Sequence, residues 1–168
     1  MGYTTAFVGA FTSVPALTEA QRAYLIAFAE TRRMQRDEAK AAKLEDPLRE
    51  AVGLPVGRDG GYFVNGQGFC GQDDDPSVLD SNGPPEGQPG LWCQWVPNED
   101  GTAIVWDNGE KFYHYVEWIQ YIVTHFMEPW NVTLNGEVTW CGEDPYDHGK
   151  IVITNNCITA MSGEVTYR

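Results

Sequence analysis

Phe112-Tyr113-His114-Tyr115-Val116-Glu117-Trp118-Ile119-Gln120-Tyr121-Ile122-Val123-Thr124-His125-Phe126-Met127-Glu128 decides the fold class. Phe112, Val116, Ile119, Val123 and Phe126 recur at alternating steps of four and three, so a helical period puts all five on one face. The spacing predicts an amphipathic helix over 110–128, entered through Asn108-Gly109 and stopped by Pro129. Before it, residues 91–96 and 102–107 are aromatic, β-branched runs around Pro97-Asn98-Glu99-Asp100-Gly101, which reads as a hairpin with a five-residue loop. After it, residues 136–142, 150–155 and 157–161 read as three closing strands.

Toward the N-terminus, residues 3–14 are rich in Thr, Phe and Val and predict a first strand, bent at Gly9 and ended by Pro15. Thr18-Glu19-Ala20-Gln21 has the form of a capping box, so a helix should begin there. Tyr24, Leu25 and Phe28 supply its buried side, and the alanine-rich stretch beyond predicts continuation, giving one helix over 18–43. Residues 46–53 suit a short second helix, with Pro47 early and Gly53 just past the end. Residues 57–90 hold nine glycines and four prolines, too many for a packed element apart from a short strand at 62–65. The order predicts an α+β fold: one domain over 1–168, mainly an antiparallel sheet with two main helices packed on one face. An irregular Gly/Pro/Asp-rich loop spans about 66–90, and connections of that length are usually functional or mobile.

At 168 residues, with 42% hydrophobic side chains, the chain has enough apolar material for a core despite its charge. No run approaches the roughly 18 apolar residues of a membrane span. The start, Met1-Gly2-Tyr3-Thr4-Thr5-Ala6, lacks the basic and apolar regions of a signal peptide, so no membrane association and a cytoplasmic location are expected. Cys70, Cys93, Cys141 and Cys157 form no C-x-x-C pair and read as small apolar core or strand residues.

The chain carries 24 Asp and Glu against 11 Lys and Arg, a net charge of −13. Residues 1–58 hold eight cations and seven acids, whereas residues 59–168 hold three cations and 17 acids. Segregated charge produces a directed field. It repels nucleic-acid phosphates and attracts a basic surface, so the expected partner is a basic protein, with no direct nucleic-acid contact. The carboxylates proposed for that contact are Asp73, Asp74, Asp75 and Asp80 in the loop, Glu110, Glu117 and Glu128 on the predicted helix, and Glu143, Asp144 and Asp147 between the closing strands. The plain alternative for each group is a solvated acidic surface.

Arg32, Arg36, Lys40 and Lys43 fall within ~80° of one another on the predicted 18–43 helix. They form a basic stripe suited to acids of a second copy, hence a homo-oligomer contact. Gly66-Gln67-Gly68-Phe69-Cys70-Gly71 spells G-x-G-x-x-G, but Gln72-Asp73-Asp74-Asp75-Pro76 stands where a phosphate-binding helix should begin. No dinucleotide cofactor is therefore expected, and the same acids argue against Cys70 as a nucleophile. His114 and His125 lie ~16 Å apart along the predicted helix and cannot share a metal, so no metal or other cofactor is expected. The six tryptophans, at 92, 95, 106, 118, 130 and 140, read chiefly as core.

Leu91-Trp92-Cys93-Gln94-Trp95-Val96-Pro97, Glu99-Asp100-Gly101-Thr102, Lys111-Phe112-Tyr113, Tyr115-Val116-Glu117-Trp118, Pro129-Trp130 and Leu134-Asn135-Gly136-Glu137-Val138 carry a resemblance. In these words the chain is similar to a family of small uncharacterised acidic proteins encoded by bacteriophages, prophages and bacteria, over residues 55–155. The resemblance implies a context but no activity: an accessory factor acting on a host component in the host cytoplasm.

These readings favour a non-enzymatic binding protein that inhibits a basic host protein of defence or nucleic-acid handling. One rival is a divalent-cation-dependent enzyme using Asp73, Asp74, Asp75 and the acids of 143–147 on a small molecule or nucleotide. Another is a nucleotide-sequestering module built on the glycine-rich 57–71 segment. The 71–90 loop is expected to be exposed, so that Asn at 73, 74 and 75 would leave stability nearly unchanged.

Overall fold

Phe7-Val8-Gly9-Ala10-Phe11-Thr12-Ser13 sets its two phenylalanines four residues apart, so the period of two in a strand puts both on one face. It forms the middle of the first element in the computed structural model, which describes residues 2–64 and 74–164. In chain order the elements are β1 (Ala6–Val14), α1 (Glu19–Glu30), β2 (Gln35–Arg36), α2 (Glu38–Ala41), α3 (Pro47–Ala51), β3 (Val78–Asp80), β4 (Trp95–Pro97), β5 (Ala103–Trp106), α4 (Tyr115–Ile122), β6 (Thr133–Cys141), β7 (His148–Thr154) and β8 (Cys157–Ser162). The fold is α+β. Two compact units make it up, one from residues 1–17 and 94–168 and the other from residues 18–93.

The first unit is a six-stranded antiparallel sheet in the order β4-β5-β1-β6-β7-β8. Its register places Phe7 opposite Trp140, Gly9 opposite Val138, Phe11 opposite Gly136 and Val138 opposite Ile151. Phe7, Phe11, Trp95, Ile104, Leu134, Val138, Trp140, Ile151 and Ile153 are buried. The intervening positions of β1 stay open, with Val8 74% exposed. Two glycines permit the central pairing. Gly9 (φ 121°) and Gly136 (φ 148°) sit where a Cβ would run into the carbonyl oxygens of Glu137 and Ala10 across the ladder, so each strand needs a glycine at its closest approach.

α4 begins later than its periodicity suggests. Lys111 (φ 60°) and His114 (φ 59°) adopt the left-handed conformation, which keeps the chain out of the helix until Tyr115 and leaves Glu110 in a loop. Phe112 nevertheless reaches the core, edge-on to Phe7 and Trp95. The last turn, Val123–Met127, winds as a π-helix, and the Glu128 amide donates to the Val123 carbonyl at 2.9 Å. Trp118, Ile119, Ile122, Val123 and Phe126 are buried, and the Trp95 indole donates to the Tyr115 carbonyl at 2.8 Å.

In the second unit the capping box forms as expected: the Thr18 hydroxyl accepts from the Gln21 amide and the Gln21 side chain accepts from the Thr18 amide. The single helix over 18–43 does not form. α1 ends at Glu30, where Thr31 turns extended (φ −98°, ψ 121°) and its hydroxyl donates to the Ala27 carbonyl at 2.7 Å. The residues just beyond this end supply the reason. Arg33, Met34 and Arg36 are all buried, with the Arg33 guanidinium 4.0 Å from the Phe28 ring centre and that of Arg36 4.3 Å from Phe63. One regular helix with its arginines in a solvent stripe cannot bury them. Asp37 and Asp46 then cap α2 and α3, with Pro47 in the first turn of α3. From residue 74 to 90 the chain is less bare than its composition suggests: β3 pairs with β2, and Ser77, Pro85 and Gln88 are buried. The strand predicted at 62–65 is absent from 62–64, and Asn65 lies outside the described residues.

Gly136→Ala should destabilise the fold by about 2 kcal/mol or more, because the new methyl meets backbone rather than a movable side chain. A drop in the urea midpoint measures it.

Candidate functional site

β6 leaves the sheet at Cys141 and the chain returns as β7 from His148. The turn between them closes through the Gly142 amide on the Asp147 carbonyl (2.7 Å) and the Asp147 amide on the Asp144 carbonyl (2.9 Å). Tyr3, three residues ahead of β1, is carried to this turn by the pairing of Ala6 with Cys141. Its hydroxyl donates to Asp147 Oδ2 at 2.7 Å and accepts from the Asp144 amide at 3.1 Å. The Trp140 indole donates to Asp147 Oδ1 at 3.1 Å, so each carboxylate oxygen is held by its own donor. The Thr4 amide donates to Glu143 Oε1 at 2.8 Å. Glu143, Asp144 and Asp147 thus lie in one turn, with Glu143 and Asp147 held by Thr4, Tyr3 and Trp140.

Beside this turn the first residues of α4 and the end of β6 border a shallow, solvent-open cavity of about 310 Å³ lined by His114, Tyr115, Val116, Glu117 and Trp140. The rings of Tyr115 and Trp140 stand 5.6 Å apart at 48°. Tyr115 is backed edge-on by Phe7 at 4.9 Å, which fixes its ring. Burial pushes its hydroxyl pKa up to about 12, helped by the negative charges of Asp147 and Glu117 and by Tyr3. The Tyr3 hydroxyl is also raised: the Asp144 amide pulls it down, but the bond to Asp147, desolvation and the charges of Asp147 and Asp144 outweigh that. Among the described residues Glu117 forms no ion pair. Among the described residues of this unit the ion pair present is Lys150 with Glu137, at 3.2 Å.

The remaining predicted residues fall elsewhere. Asp73, Cys70 and the 66–71 glycine motif lie outside the described residues. Asp74 is exposed, as is Asp80, whose carboxylate accepts from the Asn82 amide at 2.9 Å. Asp75 serves local structure, accepting from the Ser77 amide at 2.7 Å and standing 3.9 Å from the buried Arg36. Its bonds to the Ser77 side chain and amide, with Arg36 nearby, hold its carboxyl below the usual range. Asp74 and Asp75 are thus not interchangeable surface charges. Glu110, Glu117 and Glu128 are exposed, but Glu110 precedes the helix, so the three form no single stripe.

The basic stripe is not formed either. Arg32 lies past the end of α1, its guanidinium on the Ser81 carbonyl and Asn82. Arg36 is buried and donates to the Ser77 hydroxyl at 2.8 Å, and Lys40 and Lys43 belong to and follow α2. Burial lowers the Arg36 pKa to about 10, against the pull of Asp75. The charge also divides differently from the two sequence halves. The first unit carries eleven acids and three cations, the second thirteen and eight.

Among the described residues no group of three His, Cys, Asp or Glu side chains could hold a metal ion, and no helix is long and apolar enough to cross a membrane. Comparison with family models, curated proteins and solved structures finds no match. Tyr3, Tyr115 and Trp140 were absent from the predicted site. Tyr115 sits one residue beyond His114 in the stretch that decided the fold, but Tyr3 and Asp147 are 144 positions apart and no local spacing joins them.

Two outcomes are expected for stability. Asp75→Asn should cost about 1 kcal/mol by losing a charged acceptor, whereas Asp74→Asn should stay within about 0.5 kcal/mol in urea titrations. The Tyr115 pKa lies above its unfolded value of 10.0, so the unfolded chain ionises first and stability is lost as pH rises from there toward 12. Melting temperatures across that window should fall less steeply in Tyr115→Phe than in the parent.

Proposed function

We propose that the chain is a non-enzymatic binding protein that presents carboxylates of its first unit to a basic protein. The observation that carries this reading is eleven acids against three cations in that unit, with Glu110, Glu117, Glu128, Glu143 and Asp144 exposed. Such a surface steers a cationic partner and rejects phosphate backbones. Carboxylates fixed before binding, as Asp147 is by Tyr3 and Trp140, add affinity because little ordering remains. The target we propose is a basic host protein of defence or nucleic-acid handling, with inhibition as the consequence.

The tagged chain, incubated with bacterial lysate, should retain basic proteins at about 50 mM salt and release most of them near 500 mM, where the screening length falls below roughly 5 Å. Retention of acidic partners alone, or of partners indifferent to salt, would overturn the proposal.

A further inference from the structure

Glu117 is an exposed acid that forms no ion pair among the described residues, and it borders an open cavity lined also by Tyr115 and Trp140, with His114 and Val116 completing the lining. Exposed carboxylates are ordinary by themselves, but a recess of about 310 Å³ with a tyrosine and a tryptophan in its lining is not an ordinary charged surface. An anion entering it would meet Glu117, with Asp147 behind Trp140. A neutral apolar group would leave the carboxylate facing it unpaired. A cation satisfies both walls, since aromatic rings attract positive charge and the acid neutralises it. Of the two cationic side chains, arginine fits better: its flat, weakly hydrated guanidinium can lie against a ring while donating in-plane to a carboxylate. The walls are set beforehand. Tyr115 is wedged against Phe7 and Phe112, and the Trp140 indole is tied to Asp147, so neither ring has to be ordered on binding.

We propose that the cavity lined by His114, Tyr115, Val116, Glu117 and Trp140 is a socket for one arginine side chain of a protein partner, an assignment that rests on the proposed binding function. It converts a diffuse acidic surface into one with an anchor. The acids of the 142–148 turn steer the partner, and the socket selects a residue on it.

The test is a titration of the ¹⁵N-labelled chain with N-acetylarginine amide, with the citrulline analogue as the neutral isostere and N-acetyllysine amide as the second cation. The expected result is a saturating shift of the Trp140 indole N–H and the Tyr115 and Glu117 amides with the arginine probe. The lysine probe should bind more weakly and citrulline should give no response. Glu117→Gln should weaken arginine binding roughly fivefold, while Glu99→Gln, an equal change in net charge in the exposed hairpin loop, should leave it within about a factor of two. A chain that retains basic proteins in a salt-dependent way, yet shows no response at Trp140 or binds citrulline equally, overturns the socket alone. A response at Trp140 from a chain that retains no basic protein overturns the broader function, and with it the assignment to a protein side chain.

Discussion

Nine consecutive residue pairs between β1 and β6 hold the first unit together, and nearly every other feature of that unit depends on them. They join the start of the chain to its last third across more than a hundred residues, so the loop-closure entropy has to be offset by the contacts that the ladder brings together. Those contacts are large. Phe7 alone touches the rings of Trp95, Trp106, Phe112 and Tyr115. Because the two strands approach so closely at Gly9 and Gly136, the register has little freedom to slip, and a slip of β1 by one residue would move Phe7 and Phe11 to the open face.

The candidate site is a direct product of that register. Extending the ladder past Ala6 and Cys141 brings Tyr3 and Thr4 to the 142–147 turn, where they take hold of Asp147 and Glu143. The same face of the ladder turns Trp140 toward Tyr115 on α4. The left-handed residues Lys111 and His114 delay the helix so that Tyr115, rather than Glu110, opens its first turn. A helix started at residue 110 would have carried the acids as a stripe; this one places an acid and an aromatic residue together at its N-terminal end.

The second unit handles charge in the opposite way, drawing it inward. Arg33, Arg36 and Arg49 are buried along with Asp46, which accepts from Arg49 Nε at 2.9 Å and from the Val64 amide at 3.3 Å. Arg33 donates to the Gly61 carbonyl and Gln88, linking α1's exit to two irregular segments that contribute few aliphatic groups. A segment rich in glycine and proline cannot be ordered by apolar burial alone. Guanidiniums, with several donors on long stems, reach backbone carbonyls that would otherwise be left unsatisfied.

Local chemistry determined what could be read from residues alone. The Thr18 capping box, the hairpin around residues 97–101, the three closing strands and the apolar face of α4 all depend on neighbours within a few positions, and each is present within a few residues of its predicted bounds. The helix over 18–43 failed for the complementary reason: alanine content favours a helix locally, but burial of Arg33 and Arg36 against Phe28 and Phe63 is a tertiary choice that propensity does not contain. Likewise, acid counts revealed an acidic excess over residues 59–168, yet not how it divides between the units, that Asp147 is gripped by Tyr3 and Trp140, or that Glu117 borders a recess lined by Tyr115 and Trp140. Periodicity reports which face of an element is buried. Which side chains from opposite ends of the chain meet there depends on the β1–β6 register, a property of two distant segments taken together.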